Sequence, residues 1–204
     1  MSLKQLFFAL VVRPLLLLFG GIRVRGLENL PPRGPAILVA NHNSHLDTPA
    51  LMSLFPLRVL PKVRPAAARD YFFATPLRRF VAERLIGILP LERGTVKRAA
   101  GRHPLQPLAD ALDRGEIVII YPEGSRGKPG ELRPFRHGFA HLAKMRPHVP
   151  VVPVHIRGTD RALPREEALW VPFILDIEIA TPYHYEKGVR PFARTIERLY
   201  HADR

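Results

Sequence analysis

Short apolar runs recur along this chain, and most of the intervals between them carry helical spacing. The runs are Ala36–Ala40 (AILVA), Arg58–Leu60, Ile86–Leu91, Ile117–Tyr121 (IVIIY), Val151–Ile156 and Ile174–Ala180. Helical patterns fall over 49–55, 76–85, 104–114, 137–145 and 189–201. Strands alternating with helices of this size point to an α/β fold: a single domain with a largely parallel central sheet flanked by helices. Several runs are apolar at every position, as expected of strands covered on both faces. In such sheets ligands bind where strands end and loops begin. The residues at those junctions are therefore the candidates for function.

Composition narrows the chemistry. The 204 residues suffice for one domain with a full core. There is no cysteine, which excludes disulfides, Cys-ligated zinc, iron–sulfur clusters and a cysteine nucleophile. Lys and Arg number 31 against 18 Asp and Glu, a net charge of +13. A basic globular chain usually meets phosphate, whether on nucleic acid, an anionic membrane, an acidic carrier or a substrate. Helix-turn-helix, zinc-finger and RNP-type signatures are all missing, which argues against a nucleic-acid partner.

Residues 6–22, LFFALVVRPLLLLFGGI, are the most apolar stretch. A spanning helix needs about 20 such residues, and here Arg13-Pro14 divides the run. Proline disfavours helical dihedrals at the residue before it. The expectation is two short helical pieces at one leaflet of a membrane, with Arg13, Arg23 and Arg25 reaching lipid phosphates. Residues 1–24 thus read as a membrane-associating segment and 25–204 as the main domain. An ordinary buried N-terminal helix is the alternative.

Three junctions carry reactive side chains. After AILVA comes Asn41-His42-Asn43-Ser44-His45-Leu46-Asp47, then Thr48-Pro49, a good helix start. On one ideal helix His42 and Asp47 would point about 140° apart. A turn leaving the strand can instead fold them together, so that the carboxylate holds one ring nitrogen and the other accepts a proton. Ser44-x-x-Asp47 also resembles a capping box. His42 and His45 lack a recognisable third metal ligand. The second junction, Leu91-Glu92-Arg93-Gly94, ends a strand with an arginine suited to an anion or to a surface ion pair. The third is Tyr121-Pro122-Glu123-Gly124-Ser125-Arg126-Gly127, followed by Phe135-Arg136-His137-Gly138. Its glycine-rich turn is of a kind that presents backbone N–H groups to an anion or an oxyanion.

In order and spacing, NHNSHLD, LERG, YPEGSRG with FRHG, and Val149-Pro150-Val151-Val152-Pro153-Val154 resemble the motifs of the glycerolipid acyltransferase family, typified by lysophosphatidic acid acyltransferases. The resemblance runs from about residue 25 to about residue 160. Asn41, His42 and Asp47 match the first motif, Leu91 and Arg93 the second. In the third, Ser125 replaces the usual Thr, and Arg136 the usual Lys. Arg69 matches a basic position between the first two motifs.

The resemblance implies acyl transfer from acyl-CoA or acyl carrier protein to the hydroxyl of a lysophospholipid, with lysophosphatidic acid giving phosphatidic acid. It implies His42 as general base, Asp47 as its orienter, and acceptor-site roles for Glu123, Arg93 and Arg126. Gly124, Ser125, Arg69 and Arg136 are further substrate-binding candidates, with backbone N–H groups near Gly124 holding the oxyanion. Neither a metal nor a cofactor beyond the acyl donor is expected. The expected location is the cytoplasmic face of the inner or plasma membrane. A lyso-amino-acid lipid or a glycolipid is the alternative acceptor.

Overall fold

The structure, a computed structural model, describes residues 1–69, 75–91, 103–125, 132–158 and 173–201. Its centre is a seven-stranded sheet in the order β1-β7-β6-β2-β5-β3-β4. The strands are β1 (Gly20–Arg25), β2 (Ala36–Ala40), β3 (Val63–Ala68), β4 (Leu89–Leu91), β5 (Ile117–Ile120), β6 (Val151–Arg157) and β7 (Phe173–Ile179). Neighbours are parallel except β6 and β7, so β1 and β7 run against the rest.

All five residues of β2 are fully buried, because helices cover both of its faces. Ala36, Leu38 and Ala40 face α1 (Leu3–Phe7), α2 (Arg13–Phe19) and α3 (Asp47–Ser53). Ile37 and Val39 face α5 (Gln106–Asp113), α6 (Gly138–Met145) and α7 (Val189–Arg198). Burying each such aliphatic side chain contributes about 1.5–3 kcal/mol. A further helix, α4 (Pro76–Phe80), continues as a π turn over Val81–Ile86 beside α1.

Two strand expectations need correction. Arg58–Leu60 is not a strand: 58–59 lie in a turn and Leu60 opens a 3-10 turn, with the strand beginning at Val63. Ile86 closes the π turn, leaving Leu89–Leu91 as the strand.

The N-terminal stretch also differs from expectation. It is helical from Leu3 to Phe19, with a π turn over Phe8–Val12 ahead of Pro14. The Arg13 N–H reaches the Phe8 carbonyl, a wider turn that accommodates the proline without a gap. Arg13 does not reach outward. Its guanidinium binds the carbonyls of Ser53 (3.1 Å) and Phe55 (2.6 Å) at the end of α3, a favourable place for a cation. Arg23 and Arg25 pair with Asp176 and Glu178 across β1 and β7. Phe8, Val12 and Leu16 are core residues, whereas Leu10, Leu17 and Leu18 are 66%, 83% and 75% exposed. Position 24 lies inside β1, so a cut there removes core side chains and an edge strand. Among the described residues, no helix is long and apolar enough to cross a membrane.

Lys4 is buried, its Nζ donating to the Val63 carbonyl at 2.6 Å. Burial, reinforced by the Arg64 guanidinium, pulls its pKa from 10.5 to about 7, against a smaller opposing pull from Glu116. Between these values the unfolded chain binds the extra proton, so this group's contribution to stability rises with pH from about 7 to 10.5. Thermal unfolding should show a Tm increase from pH 7 to 9.5 that Lys4→Met largely flattens. Equal slopes in both proteins would contradict the buried-lysine assignment.

Candidate active site

The carboxyl ends of β2 and β5 lie side by side, with Val39 registered to Ile120. Where β2 ends, the buried Asn41 amide accepts from the Ile156 N–H (2.7 Å) and donates to the Ile156 carbonyl (2.8 Å). It acts as an extra rung between β2 and β6. The chain then turns so that Asp47 Oδ2 gathers three groups: the Asn43 N–H at 2.7 Å, the Ser44 N–H at 2.8 Å and His42 Nδ1 at 2.8 Å. This turn brings together two side chains that a helix would hold apart. Asp47 has no exposed surface, and the His42 side chain is 19% exposed. Helix α3 begins at Asp47 itself, so Ser44 is not the capping residue the sequence suggested. Thr48 Oγ1 bonds the Tyr121 hydroxyl (2.8 Å) rather than capping the helix.

Oδ2 already accepts two amide hydrogens, so it acts as acceptor toward the ring and Nδ1 carries the proton. Nε2 is then the basic nitrogen. The Tyr121 ring stacks on His42 with centroids 4.2 Å apart and planes 24° apart, fixing the imidazole plane. Burial pushes the Tyr121 hydroxyl well above its ordinary pKa, so it stays a neutral partner for Thr48.

Glu123 is 3% exposed. Its Oε1 accepts the His42 N–H at 2.7 Å and its Oε2 the Arg133 N–H at 3.2 Å. Burial raises its pKa, against the pull of these two donors and of His42. Among the described residues, Glu123 thus clamps two backbone segments. Arg93 and Arg126 lie outside the described residues.

The Gly124 N–H is bonded to the Tyr121 carbonyl (3.1 Å), within the turn itself. The residue is left-handed (φ 73°), and a Cβ there would meet Arg136 Nε at 2.9 Å. Glycine thus lets the Arg136 guanidinium lie against the turn. Ser125 Oγ accepts from Arg133 Nη1 at 2.9 Å, and the Arg136 N–H binds the Pro122 carbonyl at 2.8 Å. The two segments of the third motif are therefore one unit. Arg69 follows β3 directly at the same end of the sheet and is exposed.

Sequence reasoning missed two residues near the C-terminus. The Tyr200 hydroxyl donates to the Val39 carbonyl (2.6 Å) and accepts from the Val154 N–H (3.0 Å), bridging β2 and β6 just before His42. Its ring packs against Phe135. Glu197 accepts the Phe135 N–H at 2.9 Å. No local pattern marks either residue, because their partners are remote in sequence. Removing one member of a buried hydrogen-bonded set costs about 1–3 kcal/mol. Tyr200→Phe is expected to lose stability on that scale in chemical denaturation. An unchanged denaturation midpoint would show that the bridge carries no weight.

Residues 21–157 match the Acyltransferase family model. The chain belongs to the Acyltransferase family. The matched region spans β1 to the end of β6 and holds His42, Asp47 and Glu123, whereas Glu197 and Tyr200 lie beyond it.

This acyltransferase-family chain is 32% identical over 148 residues to the chloroplastic 1-acyl-sn-glycerol-3-phosphate acyltransferase of Brassica napus, covering 69% of the chain and 38% of that protein. It is 31% identical over 171 residues to the alpha 1-acyl-sn-glycerol-3-phosphate acyltransferase of Bos taurus, covering 83% and 56%. It is 35% identical over 148 residues to the lyso-ornithine lipid O-acyltransferase of Pseudomonas aeruginosa, covering 72% and 52%. The chain thus spans roughly two-fifths to just over half of these relatives. The fold is that of the crystal structure of PlsC, the LPA acyltransferase of Thermotoga maritima (TM-score 0.73, 22% identity, 97% of this chain and 75% of that one).

Proposed function

We propose that this protein transfers an acyl group from an acyl thioester to the free hydroxyl of a lysophospholipid, with lysophosphatidic acid as the acceptor. The donor is acyl-CoA or acyl carrier protein. The observation that carries the reading is the His42 Nδ1–Asp47 Oδ2 contact of 2.8 Å at the end of β2.

His42 Nε2 takes the proton of the acceptor hydroxyl as its oxygen attacks the thioester carbonyl. A C–O bond forms, and the C–S bond breaks as the tetrahedral intermediate collapses. The departing thiolate recovers the proton from the imidazolium. Asp47 stabilises that imidazolium, and no acyl-enzyme is required. Glu123 and Tyr121 act as positioning residues, one through the His42 backbone and the other through its ring.

Arg93 and Arg126 are assigned to the acceptor phosphate, with Arg69, Ser125 and Arg136 as further substrate-binding candidates. A charge-assisted bond to phosphate contributes about 1.5–3 kcal/mol. Arg93→Ala and Arg126→Ala should therefore each raise the acceptor KM by about tenfold or more, with much less effect on the donor KM. Equal sensitivity with a phosphate-free lysolipid would replace the phosphate pocket by a second reading, acyl transfer to a lyso-amino-acid lipid. The relative acting on lyso-ornithine lipid favours that second reading. Either acceptor resides in a bilayer, and the exposed face of α1 and α2 is assigned to contact with its cytoplasmic surface.

A further inference from the structure

At the end of the sheet opposite His42 lies a cleft of about 690 Å³, lined by Pro32, Arg33, Gly34, Arg58, Lys62 and Gly115, with Val59. Gly34, Lys62 and Gly115 lie just ahead of β2, β3 and β5, three strands adjacent in the sheet. The cleft therefore belongs to the amino ends of the parallel strands, a strand's length from the catalytic junctions.

Its charge is one-sided: among the described residues the lining carries three cationic side chains and no acidic one. The acid nearest in sequence, Glu116, is already engaged by Arg64 (3.7 Å) and Arg114 (3.3 Å). Among the described residues neither Arg33 nor Arg58 forms an ion pair. Among the described residues, Lys62 Nζ reaches the Arg114 carbonyl, at 3.2 Å. Cations gathered around a concavity concentrate anions there more strongly than the same charges on a convex surface. The wall is rigid backbone: a Cβ at Gly34 would fall 2.5 Å from the Gly115 carbonyl oxygen, so the two segments are in direct contact.

The cleft adjoins the apolar N-terminal helix. Gln5 Nε2 donates to the Leu57 carbonyl (2.8 Å), and Lys4 Nζ to the Val63 carbonyl, bracketing the segment that carries Arg58 and Lys62. From this anchored end, α1 and the π turn expose Leu3, Leu6 and Leu10. An exposed apolar stripe next to arginines that form no ion pair among the described residues matches the two layers of a membrane surface, acyl chains and headgroup phosphates.

We propose that this cleft is a second, non-catalytic phosphate site that holds the headgroup of an anionic bilayer phospholipid and orients the protein on the membrane. The inference rests on the lysolipid-acyltransfer reading, which requires an acceptor resident in a bilayer.

The test uses the full chain and the double variant Arg33→Ala/Arg58→Ala, in flotation with phosphatidylcholine vesicles and with vesicles containing phosphatidylglycerol. The control is Arg190→Ala/Arg194→Ala, which removes the same charge from exposed positions on α7. The double variant should lose about tenfold or more in affinity for the anionic vesicles. Its binding to phosphatidylcholine and its turnover of a soluble short-chain acceptor should not change. Unaltered binding, or an equal loss in the control, overturns the site. Inorganic phosphate, titrated by calorimetry without vesicles, separates the two sources of the same chemistry. Tight capture of free phosphate with no preference for anionic vesicles overturns the headgroup assignment. Turnover of the soluble acceptor by the wild-type chain reports on acyl transfer independently, so failure of one reading is distinguishable from failure of the other.

Discussion

His42→Ala is expected to abolish acyl transfer while leaving the fold intact. The His42 side chain is partly exposed, and its contacts are one bond to Asp47 and one face against Tyr121. Its structurally important bond, from its N–H to Glu123, is made by the backbone and survives the substitution. Loss of a general base costs about 10²–10⁴ in rate. The measurement is thiol release from acyl-CoA with lysophosphatidic acid present, together with circular dichroism and thermal unfolding. Turnover within about tenfold of wild type, in a protein of unchanged Tm, would remove His42 from the mechanism.

Asp47→Asn should be nearly as damaging to turnover, for a different reason. An amide oxygen in place of Oδ2 can still accept from Asn43 and Ser44, but it carries no charge to stabilise the imidazolium. The amide nitrogen would then occupy the position of Oδ1, a buried atom without a hydrogen-bond partner among the described residues. An unsatisfied buried donor costs about 1–3 kcal/mol, so some stability is lost as well. The kcat is expected to fall by roughly 10²–10⁴. The acceptor KM should change little, because Asp47 is fully buried and does not meet the substrate. An effect confined to KM would instead make Asp47 a binding residue.

The sequence made the centre of the sheet legible and its margins less so. Ala36–Ala40 and Ile117–Ile120 lie between helical layers, and full burial imposes an apolar residue at every position. β3 reads VRPAAA, with a proline and few β-branched residues; its pairing to β4 and β5 overrides weak local propensity. β1 was hidden because Gly20-Gly21 and alternating arginines resemble the flank of a membrane segment. Those arginines face acids on β7, more than 150 residues away.

The site divides in the same way. The His42–Asp47 contact was foreseeable, since five residues of loop can close it and the chemistry asks for it. Glu123 was identified as a site residue, but its role depends on the neighbouring strand's amide, which no local motif reveals. The Gly-rich turn is legible as a turn, but that Gly124 is left-handed and spends its own N–H on Tyr121 follows only from the fold. Tyr200 joins Val39 across 161 residues of sequence and follows only from the folded C-terminal helix.

The most direct measurement of the central claim is product analysis with the purified chain. It is incubated with labelled acyl-CoA or acyl carrier protein, with and without lysophosphatidic acid, and the lipids are read by mass spectrometry. The account predicts label in phosphatidic acid and stoichiometric free thiol, both dependent on the lysolipid and both lost in His42→Ala. Thiol release at the same rate without any lysolipid acceptor, or labelled product formed equally by His42→Ala, would contradict it.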